Sequence, residues 1–219
     1  MAQTPSEQPA AASPTATTAT PGPPEPSTAR LEAFSDGVFA VAATLLVLNL
    51  KAPAGHHLAH DLAGLWPSYA TYVVSFLTIG IIWMNHHAQY ERIARADRTL
   101  LVLNLFLLMF VTLIPFPTGL LATRLASGAN EQVAAAVYAA TMLAMSISFF
   151  STYIWSAHRR LFGDWIRERH VGYLLRRNVS GLFAYAAAIG IAFASAPASL
   201  AICGIVAVYY LLPGRPLTD

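Results

Sequence analysis

The residue best placed to do chemistry in this chain is Asp36, which lies inside the apolar segment from Arg30 to Leu50, RLEAFSDGVFAVAATLLVLNL. A helix of that length extends about 31 Å, close to the thickness of a bilayer's hydrocarbon core. A carboxylate within a membrane helix costs about 2.5–3.5 kcal/mol or more, so it indicates a functional or anchoring site. Two roles are open to it: proton transfer, or acceptance of hydrogen bonds that hold helices together.

The composition is that of a membrane protein. Of the 219 residues, 56% are hydrophobic and 11% are charged, whereas a soluble domain carries about 25% charged residues. The net charge of +2 is too small and too scattered to indicate a nucleic-acid partner. Residues 1–29 are rich in Pro, Ala, Thr and Ser and are expected to form a disordered cytoplasmic tail. A membrane domain over residues 30–212 and a short cytoplasmic tail over 213–219 follow.

Six segments are predicted to cross the bilayer, so the expected fold class is all-α, with six transmembrane helices in each subunit. Their predicted limits are residues 31–50, 67–87, 99–118, 131–155, 178–195 and 198–212. The third is expected to end at Pro115-Phe116-Pro117, because proline interrupts a helix. The last two are short and are separated only by Ser195-Ala196-Pro197, which predicts a tight helical hairpin.

The basic residues predict how the six helices are oriented. Eleven of the 13 Lys and Arg residues lie on the side that holds both termini, and only Lys51 and Arg124 lie on the other. Cytoplasmic loops of membrane proteins carry an excess of Lys and Arg. The chain is therefore expected to be a multi-pass protein of the plasma membrane with both termini in the cytoplasm.

Helix depth predicts which polar side chains meet Asp36, which lies about 9 Å from the cytoplasmic end of the first helix. The second helix ends at this depth with Trp83, His86 and His87, and the third begins here with Asn104. Indole, imidazole and amide groups can all donate to a carboxylate, so one polar layer is expected to contain these groups. The layer could relay protons or lock three helices together, and the polar contacts that commonly join membrane helices favour the second role.

The other side of the first helix has no charge. At about 100° per residue, four residues lie within about 60° of Val41: Gly37, Thr44, Leu45 and Leu48. Asp36 lies about 140° from Val41, on the face with Ala43, Val47 and Leu50, and this face is expected to anchor the helix to its own subunit. The uncharged stripe would then face lipid, a neighbouring subunit or a water-filled axis.

Three motifs in order along the chain resemble those of one known family. The first is Arg30-x-x-x-Phe34-Ser35-Asp36 followed by GVFAVAATLLVL, the second is FLTIGIIWMNHH over residues 76–87, and the third is NLFLLMFVTLIPFPT over 104–118. Together they resemble bacterial homologues of transmembrane protein 175, a family of potassium channels with an RxxxFSD motif. The resemblance covers roughly residues 30–212, and its specific motifs lie in the first half.

The resemblance implies a homotetramer in the lipid bilayer, with a pore for monovalent cations on the symmetry axis, lined by the first helix. By this resemblance, the pore constriction is expected at Val41, Thr44 and Leu48, with Leu45 beside them. It also implies an inter-helix network near the cytoplasmic mouth, formed by Arg30, Phe34, Ser35, Asp36, Trp83, His87 and Asn104. The family usually has Ile or Leu where this chain has Val41, so a wider constriction is expected. Potassium would be moderately preferred over sodium, through pore width and the Thr44 hydroxyls.

Two other functions stay open: a proton-coupled transporter with Asp36 and His87 as carriers, and a non-conducting scaffold. The sequence has no second inverted half, which weakens the transporter hypothesis. No motif supports an enzyme, and no cofactor other than the permeant potassium ion is expected. One cluster in the first outer loop has metal-ligand spacing but is expected to be solvated, so no metal site is predicted: His56, His57, His60 and Asp61.

Overall fold

The computed structural model describes residues 28–53, 56–163 and 168–212, and the described part is helical apart from its connections. Its elements are α1 (Thr28–Leu45), a 3-10 turn (Leu46–Asn49), α2 (Leu58–Gly64), α3 (Trp66–Tyr90), α4 (Arg98–Leu113), α5 (Pro115–Ser127), α6 (Glu131–His158), α7 (Glu168–Ala192) and α8 (Ala196–Leu211). The all-α fold class is therefore confirmed for these residues. The tails predicted over 1–29 and 213–219 lie outside the described residues, except that α1 already begins at Thr28.

Four helical segments in the described part are long and apolar enough to cross a membrane. They are Thr28–Asn49, Trp66–Tyr90, Arg98–Ser127 and Glu131–His158. The helix α8 is apolar but shorter, and α7 begins with a polar stretch that contains Arg176, Arg177 and Asn178. These lengths and compositions define a membrane protein of several helices.

The third predicted helix ends at its prolines, as expected, but a further helix that was not predicted follows directly. α4 stops at Leu113 and α5 starts at Pro115, so the helical segment continues over 30 residues to Ser127. Proline is tolerated because the first residues of a helix need no N–H donor. Pro115 has no N–H group that could donate to the Val111 carbonyl. The amide of Ile114 donates to that carbonyl instead (3.2 Å).

The helix α6 forms the centre of the bundle, packing against α4, α5, α7 and α8. Its inner side alternates small and large residues, and Ala135, Ala139, Tyr138 and Met142 have no exposed surface. Small residues let membrane helices approach closely, where van der Waals packing takes the place of the hydrophobic effect. The predicted hairpin of the last two helices also forms. Residues 193–195 join α7 to α8, and Ser199 Oγ donates to the Ala188 carbonyl (2.8 Å).

A buried hydroxyl cluster links three helices in the middle of the bundle. Ser75 Oγ on α3 lies 2.7 Å from Thr118 Oγ1 on α5 and 2.9 Å from Tyr138 Oη on α6. All three side chains are fully buried. Each hydroxyl therefore needs these partners, because a buried polar group without a hydrogen bond is costly.

Removing the Tyr138 hydroxyl should weaken the contact between α3 and α6. We expect Tyr138→Phe to lower the free energy of unfolding by about 0.5–1.5 kcal/mol, the range for one hydrogen bond between membrane helices. The measurement is the midpoint of thermal unfolding in detergent. Tyr69→Phe is the control for loss of a tyrosine hydroxyl, because Tyr69 on α3 is exposed. Equal midpoints for the two variants would contradict the assignment.

Candidate functional site on the first helix

The buried side of α1 is a narrow row of residues spaced four and three apart. Ser35, Phe39, Ala42 and Leu46 are each at most 2% exposed and face α3 and α4. This spacing places them on one face of a helix. The row fixes the rotation of α1 within the subunit.

This row corrects the predicted anchoring face of α1. Asp36, Ala43, Val47 and Leu50 were expected at its centre, but the observed centre lies about 90° away, at Ser35. Val47 is 51% exposed and Asp36 is half-buried at the flank. The physical reason is desolvation: the uncharged hydroxyl of Ser35 is cheaper to bury completely than a carboxylate.

Asp36 accepts one hydrogen bond, from Trp83 on α3, with 2.8 Å between the indole Nε1 and Oδ1. The two side chains help to line a hollow of about 290 Å³ between α1 and α3, together with small residues such as Ala40 and Gly80. The predicted pairing of Asp36 with Trp83 therefore forms. The pairings of Asp36 with His87 and Asn104 do not, because those side chains bond to other residues.

A directed chain of hydrogen bonds crosses the bundle beside Asp36. Asn104 Nδ2 on α4 donates to Ser35 Oγ (3.0 Å), and Ser35 Oγ donates to the Leu31 carbonyl (2.8 Å). Asn104 Oδ1 then serves as the acceptor for His86 Nε2 on α3 (2.8 Å), which assigns the proton of a neutral His86 to Nε2. All three side chains are fully buried, so the chain joins α1, α3 and α4 without a net charge.

His87 bonds to a residue that was not predicted. Its Nδ1 is hydrogen-bonded to Glu32 on α1, and its Nε2 lies 3.5 Å from Glu91. Its ring also stacks near Trp83, with 6.4 Å between ring centroids. His87 therefore links α3 to α1, as Trp83 does through Asp36, but one turn closer to the N-terminus of α1. Arg30 is exposed and forms no ion pair within the described ranges.

The opposite end of α1 is held by Asn49. Its Nδ2 donates to the Pro115 carbonyl (3.0 Å) at the start of α5. A Cβ atom at Gly119 would overlap Asn49 Oδ1, so glycine is needed there for the close approach. Asn49 thus attaches the 3-10 turn to the proline-containing junction.

Between these two attachments lies the uncharged stripe. Val41 is 55% exposed, Leu45 42% and Leu48 69%, and Thr44 and Phe34 are exposed as well. Thr44 Oγ1 donates its proton to the Val41 carbonyl (2.9 Å). The oxygen lone pairs of Thr44 are therefore left free on the exposed side. The structure thus brings Val41, Thr44, Leu45 and Leu48 together on one open face, as their angles indicate.

Sequence reasoning missed Glu32 and Asn49, and it named His86 without its partner Asn104. Each had a signal in the sequence, because a polar residue in or at the end of an apolar helix needs a partner. Helix depth placed both His86 and His87 in the layer of Asp36, and the structure places only His86 in the buried network. The rotations of α3 and α4, which depth does not give, decided the pairs. In the described part of the chain, no group of three or more His, Cys, Asp or Glu residues is arranged to hold a metal ion.

The fold and the site together define an integral membrane protein whose first helix is attached at both ends and open along one uncharged face. The family model described as endosomal/lysosomal potassium channel TMEM175 matches residues 30–115. A relative from Streptomyces collinus, named a potassium channel, is 45% identical over 186 residues, covering 83% of this chain and 90% of the relative. The chain belongs to the TMEM175 family of ion channels.

Two further relatives are similar to this chain, one in its solved structure and one in its sequence. A crystal structure described as a lysosomal potassium-selective channel TMEM175 homolog from Chamaesiphon minutus is 38% identical, with a TM-score of 0.76, and the match covers 84% of this chain and 96% of that one. A protein of Danio rerio named endosomal/lysosomal proton channel TMEM175 is 34% identical over 145 residues. That match covers 61% of this chain and only 28% of the relative.

The two neighbouring histidines should contribute very differently to stability. His86 is fully buried against Phe39 and Tyr90, with ring centroids 5.3 and 4.3 Å away, and His87 is exposed. We expect His86→Ala to cost about 2–4 kcal/mol, through the cavity and the lost bond to Asn104. His87→Ala should cost much less, because exposed ion pairs contribute little. Thermal unfolding in detergent measures both, and a larger loss for His87→Ala would refute the network as described.

Proposed function

We propose that this protein is a potassium-permeable cation channel whose pore is lined by α1. The observation that carries the proposal is the uncharged stripe of Val41, Thr44, Leu45 and Leu48, exposed on a helix that is buried on another face and attached at both ends. The names of the Streptomyces collinus and Chamaesiphon minutus relatives, a potassium channel and a potassium-selective channel homolog, support potassium as the permeant ion.

One copy of α1 cannot enclose a pore, so several copies must bring their stripes together around an axis. We take the number as four, from the resemblance to bacterial transmembrane protein 175 homologues. Each subunit would cross the bilayer six times, with α7 and α8 as the last two spans. Both termini would then lie in the cytoplasm, in agreement with the distribution of arginines.

The stripe would form stacked rings of side chains along the axis. Rings of Val41 and Leu48 would make an apolar constriction, which closes to ions when water leaves it. The Thr44 ring would offer hydroxyl oxygens to a partly dehydrated cation, because the Thr44 proton is directed at the Val41 carbonyl. Valine is smaller than the Ile or Leu usual in the family, so we expect moderate potassium-over-sodium selectivity.

The attachments at the two ends of α1 suggest how such a pore would open. Glu32, Ser35 and Asp36 hold one end, and Asn49 holds the other. The segment between them is free to rotate or move outward only as far as these bonds allow. Opening would therefore need the helices that hold α1 to move with it.

A proton-coupled transporter using Asp36 and His87 receives less support. Asp36 accepts from Trp83 and His87 bonds to Glu32, so no direct hydrogen bond joins the two proposed carriers. The Danio rerio relative is named a proton channel. Proton flux is therefore measured beside potassium flux in the experiment below.

Purified protein in potassium-loaded liposomes should dissipate the potassium gradient, and Val41→Asn should increase the leak at least several-fold, because an amide ring keeps the constriction wet. Val47→Asn is the matched control, since Val47 is equally exposed on another face of the same helix. Potassium and pH indicators in the same vesicles separate potassium flux from proton flux.

Three outcomes would count against parts of the proposal. No potassium flux from intact oligomers would refute the channel function. Equal leaks for the two asparagine variants would remove Val41 from the constriction. Proton flux that requires Asp36, with no potassium flux, would favour the transporter.

Removing the Thr44 hydroxyl should reduce the preference for potassium over sodium. We expect Thr44→Ala to shift the reversal potential under potassium–sodium gradients toward zero, because a cation oxygen ligand is lost. Thr44→Ser keeps the oxygen and should retain the native reversal potential. If Thr44→Ala and the native protein have the same reversal potential, Thr44 is not part of the filter.

A further inference from the structure

Two loops at one end of the bundle are joined into a single surface. The loop from 91 to 97, between α3 and α4, pairs with the segment from 159 to 163 after α6, through an antiparallel bridge between Ile93 and Phe162. The amide of Ala94 donates to the Leu161 carbonyl (2.9 Å), and the amide of Gly163 donates to the Arg92 carbonyl (3.0 Å). Ile93 and Leu161 are buried beneath this surface, so the two loops hold a defined geometry.

Four exposed arginines lie on these loops and on the first residue of α4: Arg95, Arg98, Arg159 and Arg160. We call them the basic platform. In the described part of the chain, none of them has a carboxylate within ion-pair distance.

Two acids on the loop between α3 and α4, Glu91 and Asp97, already have partners. Both oxygens of Asp97 accept from the indole of Trp155 (3.0 Å each), and one also accepts from the amide of Leu100 (2.8 Å). Glu91 lies beside His87. The positive charge of the platform therefore has no counter-charge from these residues.

The paired loops bring two arginines to the same surface. Arg95 follows Ala94 and Arg160 precedes Leu161, so the two arginines flank the hydrogen bond between Ala94 and Leu161. Like charges on one surface repel, and the repulsion is relieved when an anion binds between them. The guanidinium group is suited to this role because its planar array of donors matches phosphate oxygens.

Arg160 also occupies a backbone position that favours glycine. Its φ is 51°, in the left-handed region. It follows the end of α6, where the amide of Leu161 donates to the Ser156 carbonyl (2.9 Å) and that of Arg160 to Ala157 (3.2 Å). Glycine is the usual residue at such a helix end, because other residues carry a steric cost there. The fold alone therefore does not call for arginine at this position.

The basic platform lies where a membrane-spanning bundle meets the lipid headgroups. α3 and α6 end beside it and α4 begins there. The guanidinium carbon of Arg159 is 5.8 Å from the centre of the Trp155 ring, and tryptophan is enriched at this depth of a membrane. We propose that the basic platform binds an anionic phospholipid, with its phosphate between Arg95 and Arg160. This proposal does not depend on ion conduction.

Native mass spectrometry of the full-length protein, exchanged into equimolar phosphatidylglycerol and phosphatidylcholine, tests the proposal. The native protein should retain phosphatidylglycerol in preference. Arg160→Gly should reduce that preference about fivefold, as expected for one basic residue near an anionic headgroup. It should also unfold at or above the native temperature, because glycine suits the left-handed position. Arg160→Lys should keep most of the preference, and Arg95→Gln should reduce it about as much as Arg160→Gly does.

Arg124→Gln is the matched control, since Arg124 is an exposed arginine near the end of α5, away from the platform loops. It should leave the lipid preference unchanged. An unchanged preference in both Arg160→Gly and Arg95→Gln would overturn the proposal, and so would an equal loss in Arg124→Gln. Displacement of phosphatidylglycerol by excess inorganic phosphate alone would assign the site to a free anion and overturn the lipid assignment.

Discussion

The amide of Asn104 is the contact on which the orientation of α1 depends. It donates to Ser35 on α1 and accepts from His86 on α3, and all three side chains are fully buried. A buried amide without partners is costly, so α1 cannot rotate without leaving polar groups unpaired. Fixing Ser35 toward α4 also fixes which side of α1 is open. The exposure of Val41, Thr44 and Leu48 is thus a consequence of a hydrogen bond on another face of the helix.

The charged residues of α1 act at its edge rather than in its core. Asp36 and Glu32 both lie at the boundary between α1 and α3, where Trp83 and His87 reach them. A partly exposed carboxylate keeps some solvation and still holds two helices together, which a fully buried one would do at greater cost. The uncharged Asn104 network occupies the interior instead. Asn49 performs the corresponding attachment at the other end of the helix without any charge.

Some features of this arrangement were accessible from the sequence and others were not. Helix depth placed Trp83, His86 and Asn104 in the layer of Asp36, because the rise per residue is constant. The pairing of Trp83 with Asp36 followed, whereas His87 and Asn104 were assigned to the wrong partner. Pairing depends on how α3 and α4 rotate about their axes, and a sequence gives the rotation of one helix relative to another only weakly. The helix that follows Pro115 was not predicted for a related reason. Asn49, which is distant in sequence, donates to the Pro115 carbonyl and packs closely against Gly119.

The amino-acid sequence by itself determined that this is a helical membrane protein, which residues share the uncharged stripe of α1, and which family its motifs resemble. Those properties follow from composition and from the fixed 100° and 1.5 Å steps of a helix, which are local. The tertiary structure decided that Ser35 rather than Asp36 is the centre of the buried face. It also decided that Glu32 is the partner of His87, and that the loops carrying Arg95 and Arg160 pair with each other. These are contacts between distant segments, and their free energies depend on desolvation and packing that no single segment contains.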